Sequence, residues 1–559
     1  MDNQRLILVL VFFFSVFMLW DGWQKQGQPL TAGPGAVASV PAASAGKAAD
    51  ASVPTTTLAS AGAAVPDAAG VPQAGSAMAA GERRSFRTDL FIAEISAEGG
   101  NLTRLELLQH PATEDKNKHL VLFDNGEKNL YLAQSGLIGD HLPTHKSPYR
   151  FVSADTELKA GQDKLVIKLE TKEANGVRAS KTYVFHRGSY LIDVEQEIEN
   201  NGATPVSAHA YFQAVRDSKP PAGTTGGAFG VHVFTGPAIY TAADKYQKVT
   251  FEEIAKGKAK HALKADNGWV AMVQHYFLSA WLPQGQGPRE FFTRKLGDDL
   301  YAAGVILPMT AVAPGTSSKL TVPLYAGPQE QTKLEQIAPG LDLVVDYGML
   351  TVIAAPLFWV LEQIHRLVGN WGWAIIVLTV LIKLAFWPLS AASYKSMAKM
   401  KAVAPKMNRL KELHGDDRQR LNQELMDLYK REKINPLGGC LPILIQIPVF
   451  LALYWVLLGT VEMRYAPFFG YLTDLSAMDP YYILPIIMGG TMVIQTKLNP
   501  PPPDPIQAKV MTFMPIAFTG MFLFFPAGLV LYWIVNNLLS IYQQWHINRI
   551  IEGGEQKTA

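Results

Sequence analysis

A single cysteine stands in 559 residues, so no disulfide can form within the chain. A domain held outside the cytoplasm must then rely on an ordinary apolar core, and about 250 residues are enough to build one. Familiar chemical motifs are missing as well. The sequence has no phosphate loop, zinc-protease helix motif, EF-hand loop or nucleophile elbow. No catalytic residue, metal site or cofactor is therefore expected, and no direct nucleic-acid site is evident. A large net charge is absent too, at +2, but this average mixes unlike segments. Charge is dense between Gly81 and Gln336. It is sparse after Tyr347, except between residues 395 and 433. One part is built for water and the other for lipid.

The apolar run Leu6–Trp20 is short for a membrane span and suits a signal-peptide core equally well. Asp21-Gly22-Trp23-Gln24 follows it where a cleavage site would want small residues. An uncleaved anchor over residues 1–23 is the expectation, with Trp20 and Trp23 at the interface. Residues 24–85 are mostly Ala, Gly, Pro, Ser, Val and Thr. Such a segment buries too little surface to offset its chain entropy, which predicts a flexible tether.

Residues 86–328 read as strands. Lys164–Glu170 alternates in part, and Lys181–His186 is a further short strand. Leu191–Glu199 sets Asp193, Glu195, Glu197 and Glu199 on one face, with Val194 and Ile198 on the other. Turn signals recur at Gly99-Gly100, Asn125-Gly126, Asn175-Gly176 and Asn201-Gly202. The sum is a large antiparallel β-sandwich. Its acidic row could bind a cation or serve acid–base chemistry, but such a row is commonly the solvated face of a strand. The Gly-rich run Gly223–Gly230 lacks the strand-then-helix setting of a nucleotide loop and reads as a loop.

Residues 329–370 connect to the membrane part, and Asp342–Val368 looks like an amphipathic helix lying in the interface. Within residues 371–545 five spans are expected. These are Trp371–Pro388, Leu441–Leu458, Tyr481–Leu498, Val510–Phe525 and Gly528–Trp545. With the anchor they make about six transmembrane helices. Loop charge sets the orientation. Eleven Lys or Arg residues lie between Ala391 and Cys440, but only Arg464 lies between Gly459 and Pro480. The first loop is thus cytoplasmic, the second external, both termini cytoplasmic and the sandwich external. The tail is residues 546–559. The cytoplasmic loop, 391–434, reads as a helical hairpin turning at His414–Asp417. Met397, Met400 and Met407 lie on an apolar stripe that suits capture of apolar segments. The same stripe also suits packing within the hairpin.

Lys383 interrupts an otherwise apolar span. Charge there costs at least ~2.5–3.5 kcal/mol on insertion scales. Its stem could snorkel to the cytoplasmic interface, or it could face a water-filled groove open to the cytoplasm. Thr379 lies one turn away, and Gln446, Tyr532, Asn536 and Asn537 supply polar groups on other spans.

Several long strings then point to a family. They are SYKSMAKMKAVAPKM (Ser393–Met407), NPLGGCLPILIQIPVFLALY (Asn435–Tyr454), DPYYILPIIMG (Asp479–Gly489), KVMTFMPIAF (Lys509–Phe518) and FPAGLVLYWIVNN (Phe525–Asn537). In these the chain resembles the YidC-type membrane protein insertases (the YidC/Oxa/Alb family), in the Gram-negative form with a large periplasmic domain. The resemblance implies a polytopic α-helical protein of the bacterial inner membrane, with a periplasmic mutarotase-like β-sandwich that is not an enzyme. It implies a hydrophilic groove at Lys383, Thr379, Tyr532 and Trp533, which Gln446 and Asn536 would extend. Well-known members carry Arg at the Lys383 position and Tyr at the Trp533 position. Lysine keeps the charge but loses the planar fork. The implied partners are nascent membrane proteins, Sec translocon components and the lipid bilayer, with ribosome–nascent-chain complexes left open. A solute transporter or channel would instead show internal repeats and several intramembrane charges. An anchored carbohydrate enzyme would need converging carboxylates in the sandwich.

Overall fold

Leu191–Asn200 alternates strictly between half-buried and buried side chains, the period of two that makes a strand with one covered face. The computed structural model describes residues 52–56, 81–126, 129–221, 233–414, 417–432, 441–498 and 505–555. The anchor with Trp20 and Trp23, most of the linker, Gly223–Gly230, Gly415-Asp416, Cys440 and residues 556–559 lie outside them.

Two nine-stranded antiparallel sheets form the sandwich. The first runs, in spatial order, Arg83–Arg87, Phe91–Ser96, Asn101–Pro111, His119–Asn125, Leu130–Ile138, His209–Asp217, Leu300–Pro308, Arg289–Gly297 and Lys264–Ala265. The second runs Lys245–Lys248, Gly236–Thr241, Trp269–Gln274, Phe277–Trp281, Thr316–Pro328, Leu191–Asn200, Val177–His186, Lys164–Thr171 and Tyr149–Phe151. Phe91, Phe185, Phe212, Trp281 and Leu324 pack in the main core. The acidic row stands outside it. Asp193 meets His186 at 2.8 Å, Glu195 meets Lys319 at 3.4 Å, Glu197 meets Lys168 at 3.8 Å and Glu199 meets Arg178 at 3.9 Å. It is a partly exposed ladder of hydrogen-bonded and charged pairs, each worth little. Lys181 is fully buried instead. Its Nζ donates to Gly99 O at 2.6 Å and Ser135 O at 2.9 Å, and burial lowers its pKa to about 7.

The helices follow in chain order: α1 (Phe251–Ala255), α2 (Gln331–Ile337), α3 (Thr351–Val368), α4 (Trp371–Ala385), α5 (Trp387–Ala402), α6 (Ala404–His414), α7 (Arg418–Arg431), α8 (Leu441–Gly459), α9 (Ile483–Leu498), α10 (Pro505–Phe522) and α11 (Ala527–Glu555). The interfacial stretch begins as two 3₁₀ turns, Leu341–Val344 and Gly348–Leu350, and becomes α-helical only at Thr351. Gly369 ends α3 at φ 69°, a left-handed cap that glycine adopts without strain. Asn370 then caps α4 by accepting from the Trp373 N–H.

Among the described residues no single helix is long and apolar enough to cross a membrane, but α4 and the first part of α5 pass together, bent by 66°. Pro388 accounts for the bend. It lacks an N–H, and its ring cannot pass the carbonyl of Leu384 in a straight helix. The last helix continues to Glu555, well beyond the Trp545 that apolar composition suggested. Backbone hydrogen bonding does not stop where the apolar face does. Helix α9 meets α10 closely at Gly489, where a Cβ would come within 2.2 Å of Thr519 Oγ1.

Sandwich and bundle are joined by polar contacts. Arg464, between α8 and α9, donates to Pro111 O at 2.6 Å, and the Tyr465 hydroxyl donates to Ala112 O at 2.8 Å. His275 Nε2 donates to Leu458 O at 3.0 Å, and burial lowers its pKa to about 4, so it is neutral. The connecting stretch is tied at both ends. Gln329 donates to Gln274 O and Phe277 O, while Thr332 donates to Glu362 of α3 at 3.1 Å.

Candidate functional site

Lys383 sits in the last turn of α4, one turn before the break at Phe386. Its Nζ crosses to α11 and donates to Ser540 Oγ at 2.8 Å. Ser540 donates in turn to Asn536 O at 2.7 Å, the usual i−4 back-bond of a helical serine. Tyr394 of α5 also hydrogen-bonds Ser540. Beside this hub Gln446 of α8 donates to the Tyr532 hydroxyl at 3.4 Å and to Asn536 Oδ1. A small cleft opens here, lined by Ile382, Lys383, Phe386, Leu389, Ser390, Gln446 and Val449. Apolar side chains thus surround a polar floor supplied by three helices.

The structure brings Lys383, Gln446, Tyr532 and Asn536 into this one region. Thr379 is 1 % exposed, and its hydroxyl donates to Ile375 O of its own helix. It faces the packed bundle and not the cavity. Trp533 is half-buried, edge-on to Phe450 at 4.6 Å. Its indole nitrogen is buried without a hydrogen-bond partner. Asn537 turns to another helix and donates to Thr491 Oγ1 at 3.0 Å. The sequence reading missed Ser540, Ser390 and Tyr394. A short hydroxyl in an apolar helix looks unremarkable until its partner 157 positions away is known.

Helices α6 and α7 pack through Val403, Met407 and Leu428, with Met400, Leu410, Leu425 and Tyr429 around them. Lys406 and Glu432 form an ion pair at 2.6 Å. Met407, 4 % exposed, therefore fills the space between these helices and is not displayed. Met397 and Met400 are half-buried. Leu413 and Met426 are the large apolar side chains that these two helices expose. Among the described residues no group of three His, Cys, Asp or Glu side chains could hold a metal ion.

Two family profiles match the chain, the YidC periplasmic domain over residues 83–360 and the 60Kd inner membrane protein over residues 363–555. The membrane protein insertase YidC of Aromatoleum aromaticum is 61% identical over 99% of this chain and 98% of its own length. That of Dechloromonas aromatica is 57% identical over the same shares, 99% and 98%. A solved structure described as an active YidC insertase with the first transmembrane domain resolved aligns with 83% of this chain and 95% of its own, at 17% identity and a TM-score of 0.39.

Proposed function

The chain belongs to the YidC family of membrane protein insertases, and from that premise we propose that client segments enter the membrane through the polar cavity beside Lys383. The protein is a membrane protein insertase and chaperone and not an enzyme. It is a multi-pass protein of the inner membrane with a periplasmic β-sandwich. The observation that carries the groove reading is the polar cluster itself: Lys383, Ser540, Asn536, Gln446 and Tyr532 joined across apolar helices. Unpaired, such groups cost several kcal/mol each in hydrocarbon, roughly. Together they make a hydrated foothold for the polar tail of a client while its apolar segment moves out to lipid.

Six spans, with both termini and the α6–α7 pair in the cytoplasm, are the topology this mechanism uses. The basic loop of residues 391–434 supports that orientation. Helix length supports local thinning of the bilayer. The 16 residues of α9 rise about 24 Å, against roughly 30 Å of hydrocarbon. A thinner barrier and a half-way polar site lower the cost of moving a short tail without ATP hydrolysis by this chain. The α6–α7 pair meets the emerging segment through Leu413 and Met426, together with Met397 of α5. Clients are nascent membrane proteins, delivered alone, from ribosome–nascent-chain complexes or with Sec translocon components.

The test is photocrosslinking to a stalled nascent chain from probes at Thr379, Leu381, Ser390, Gln446 and Trp533. Crosslinks are expected from Ser390 and Gln446, with none from Thr379, which faces the packed bundle. Crosslinks confined to lipid-facing positions such as Leu381 would remove the groove from the pathway.

A further inference from the structure

The outer face of the first sheet is apolar where a sandwich ordinarily meets water. Every residue of its central strand His209–Asp217 is buried. Ala210, Phe212 and Ala214 point into the main core. Tyr211 and Val215 point the other way, and with Phe292, Ala302 and Ile306 they form a separate cluster whose members are at most 7 % exposed. A strand covered on both faces needs a second layer. At Tyr211 that layer includes His145, whose Nδ1 lies 2.5 Å from the tyrosine hydroxyl.

Over the rest of the cluster lies a piece of the linker. Ser52 and Pro54 are buried, Thr55 faces solvent, and Val53 packs against the cluster. Gln213 Nε2 donates to Ser52 O at 3.4 Å, Arg294 Nη1 donates to Val53 O at 3.3 Å, and the Thr56 hydroxyl donates to Glu290 Oε2 at 3.4 Å. Gln213 is fully buried and also donates to Gln134 Oε1 at 2.9 Å, so its grip on Ser52 comes from a fixed group. The three bonds to the linker are longer than the usual range. Two of them take backbone carbonyls, and Val53 supplies an apolar contact.

We propose that this sheet face is a docking site whose ligand is the chain's own segment Ser52–Thr56, held reversibly, so that the sandwich sets the length of the tether to the N-terminal anchor. A proline in the segment favours the extended form that lies flat on a sheet. Long hydrogen bonds suit release as well as capture. Docking shortens the covalent path from residue 23 to the first residue held by the sandwich from about 60 to about 29 residues, and the greatest span that path can cover falls in proportion.

The experiment uses the full-length protein in native membranes, with Cys440→Ser as background and single cysteines Ser52→Cys or Thr55→Cys. Labelling by a membrane-impermeant maleimide from the periplasmic side is followed in time. Ser52→Cys is expected to react at least tenfold more slowly than Thr55→Cys, although the two stand three positions apart. Adding Pro54→Asp, a change in the linker that leaves the sandwich sequence intact, should bring the Ser52→Cys rate to within twofold of Thr55→Cys. Equal rates without Pro54→Asp would show an undocked linker and overturn the proposal. Slow labelling that persists with Pro54→Asp would show a cover of another origin, such as lipid or a second protein, and would overturn it too.

Discussion

Lys383 Nζ and Ser540 Oγ are 2.8 Å apart, which joins the end of α4 to the middle of α11. A lysine that snorkelled would run along its own helix toward the interface. This one reaches across the bundle, and its direction supports the groove reading.

A charge beside a low-dielectric wall is worth ~1–4 kcal/mol at a few ångströms, enough for tenfold changes in occupancy. Lys383→Arg should therefore be tolerated and Lys383→Glu should fail. Lys383→Ala should reduce insertion of clients with acidic tails about tenfold and of neutral ones far less. Paired clients differing only in tail charge, scored by protease protection with variant abundance measured alongside, decide this. Equal activity of the alanine and wild-type proteins on acidic tails would leave the groove to work by hydration alone.

Replacing residues 393–433 with a short Gly/Ser linker should impair insertion while the spans stay folded. Within that region Leu413→Ser with Met426→Ser should reproduce part of the loss, because these side chains are exposed. Met407→Ser should instead lower stability by about 2–3 kcal/mol through lost packing. Client crosslinking and thermal unfolding separate the two effects. Normal insertion by the linker variant would reduce α6 and α7 to a connector.

Deleting most of residues 90–320 should leave insertion largely intact, because Lys383, its polar neighbours and helices α5 to α7 all lie after Tyr347. Removing Gln329–Val345 as well should be far more harmful. That stretch leads into α3 and is tied to it by Thr332 and Glu362. A stable protein that lacks only the sandwich and fails to insert any client would give the sandwich a primary role.

The 3₁₀ turn after α8 carries Glu462, whose Oε2 is buried without a hydrogen-bond partner. Burial foremost, then Glu330 and Glu362 against Lys333, raises its pKa from 4.5 to about 8. The folded protein thus holds a proton that the unfolded chain loses above its ordinary value. Stability is fully present below pH 4.5, falls as pH rises through the window and is lost past about 8. At about 1.4 kcal/mol per unit this amounts to a few kcal/mol. Glu462→Gln should flatten the decline in melting temperature between pH 5 and 8 in detergent. Parallel slopes for the two proteins would count against it.

The sandwich was legible because its strands alternate, and Leu191–Asn200 is the clearest instance. Four of the polar groups assigned to the groove do converge, since an uncompensated polar residue in an apolar helix has few places to go. Thr379 could not be sorted by type, because a helical threonine satisfies itself on the carbonyl four residues back. Ser540, Lys181 and Gln213 were invisible for the opposite reason. Each takes its meaning from partners far along the chain, and no local pattern marks it. The bend at Phe386 was written in Pro388, but proline also ends helices, and sequence alone does not distinguish the two.

The unbroken course of α11 has a mechanical consequence. Its 29 residues rise about 44 Å, against roughly 30 Å of hydrocarbon. The helix is thus about half as long again as the hydrocarbon is thick, and it carries Tyr532, Asn536 and Ser540 in its first half. A helix is stiff in torsion over this length. One unbroken helix carries both its last turn at Glu555 and Ser540, so a rotation of that turn about the helix axis is felt at the hydrogen bond between Ser540 and Lys383.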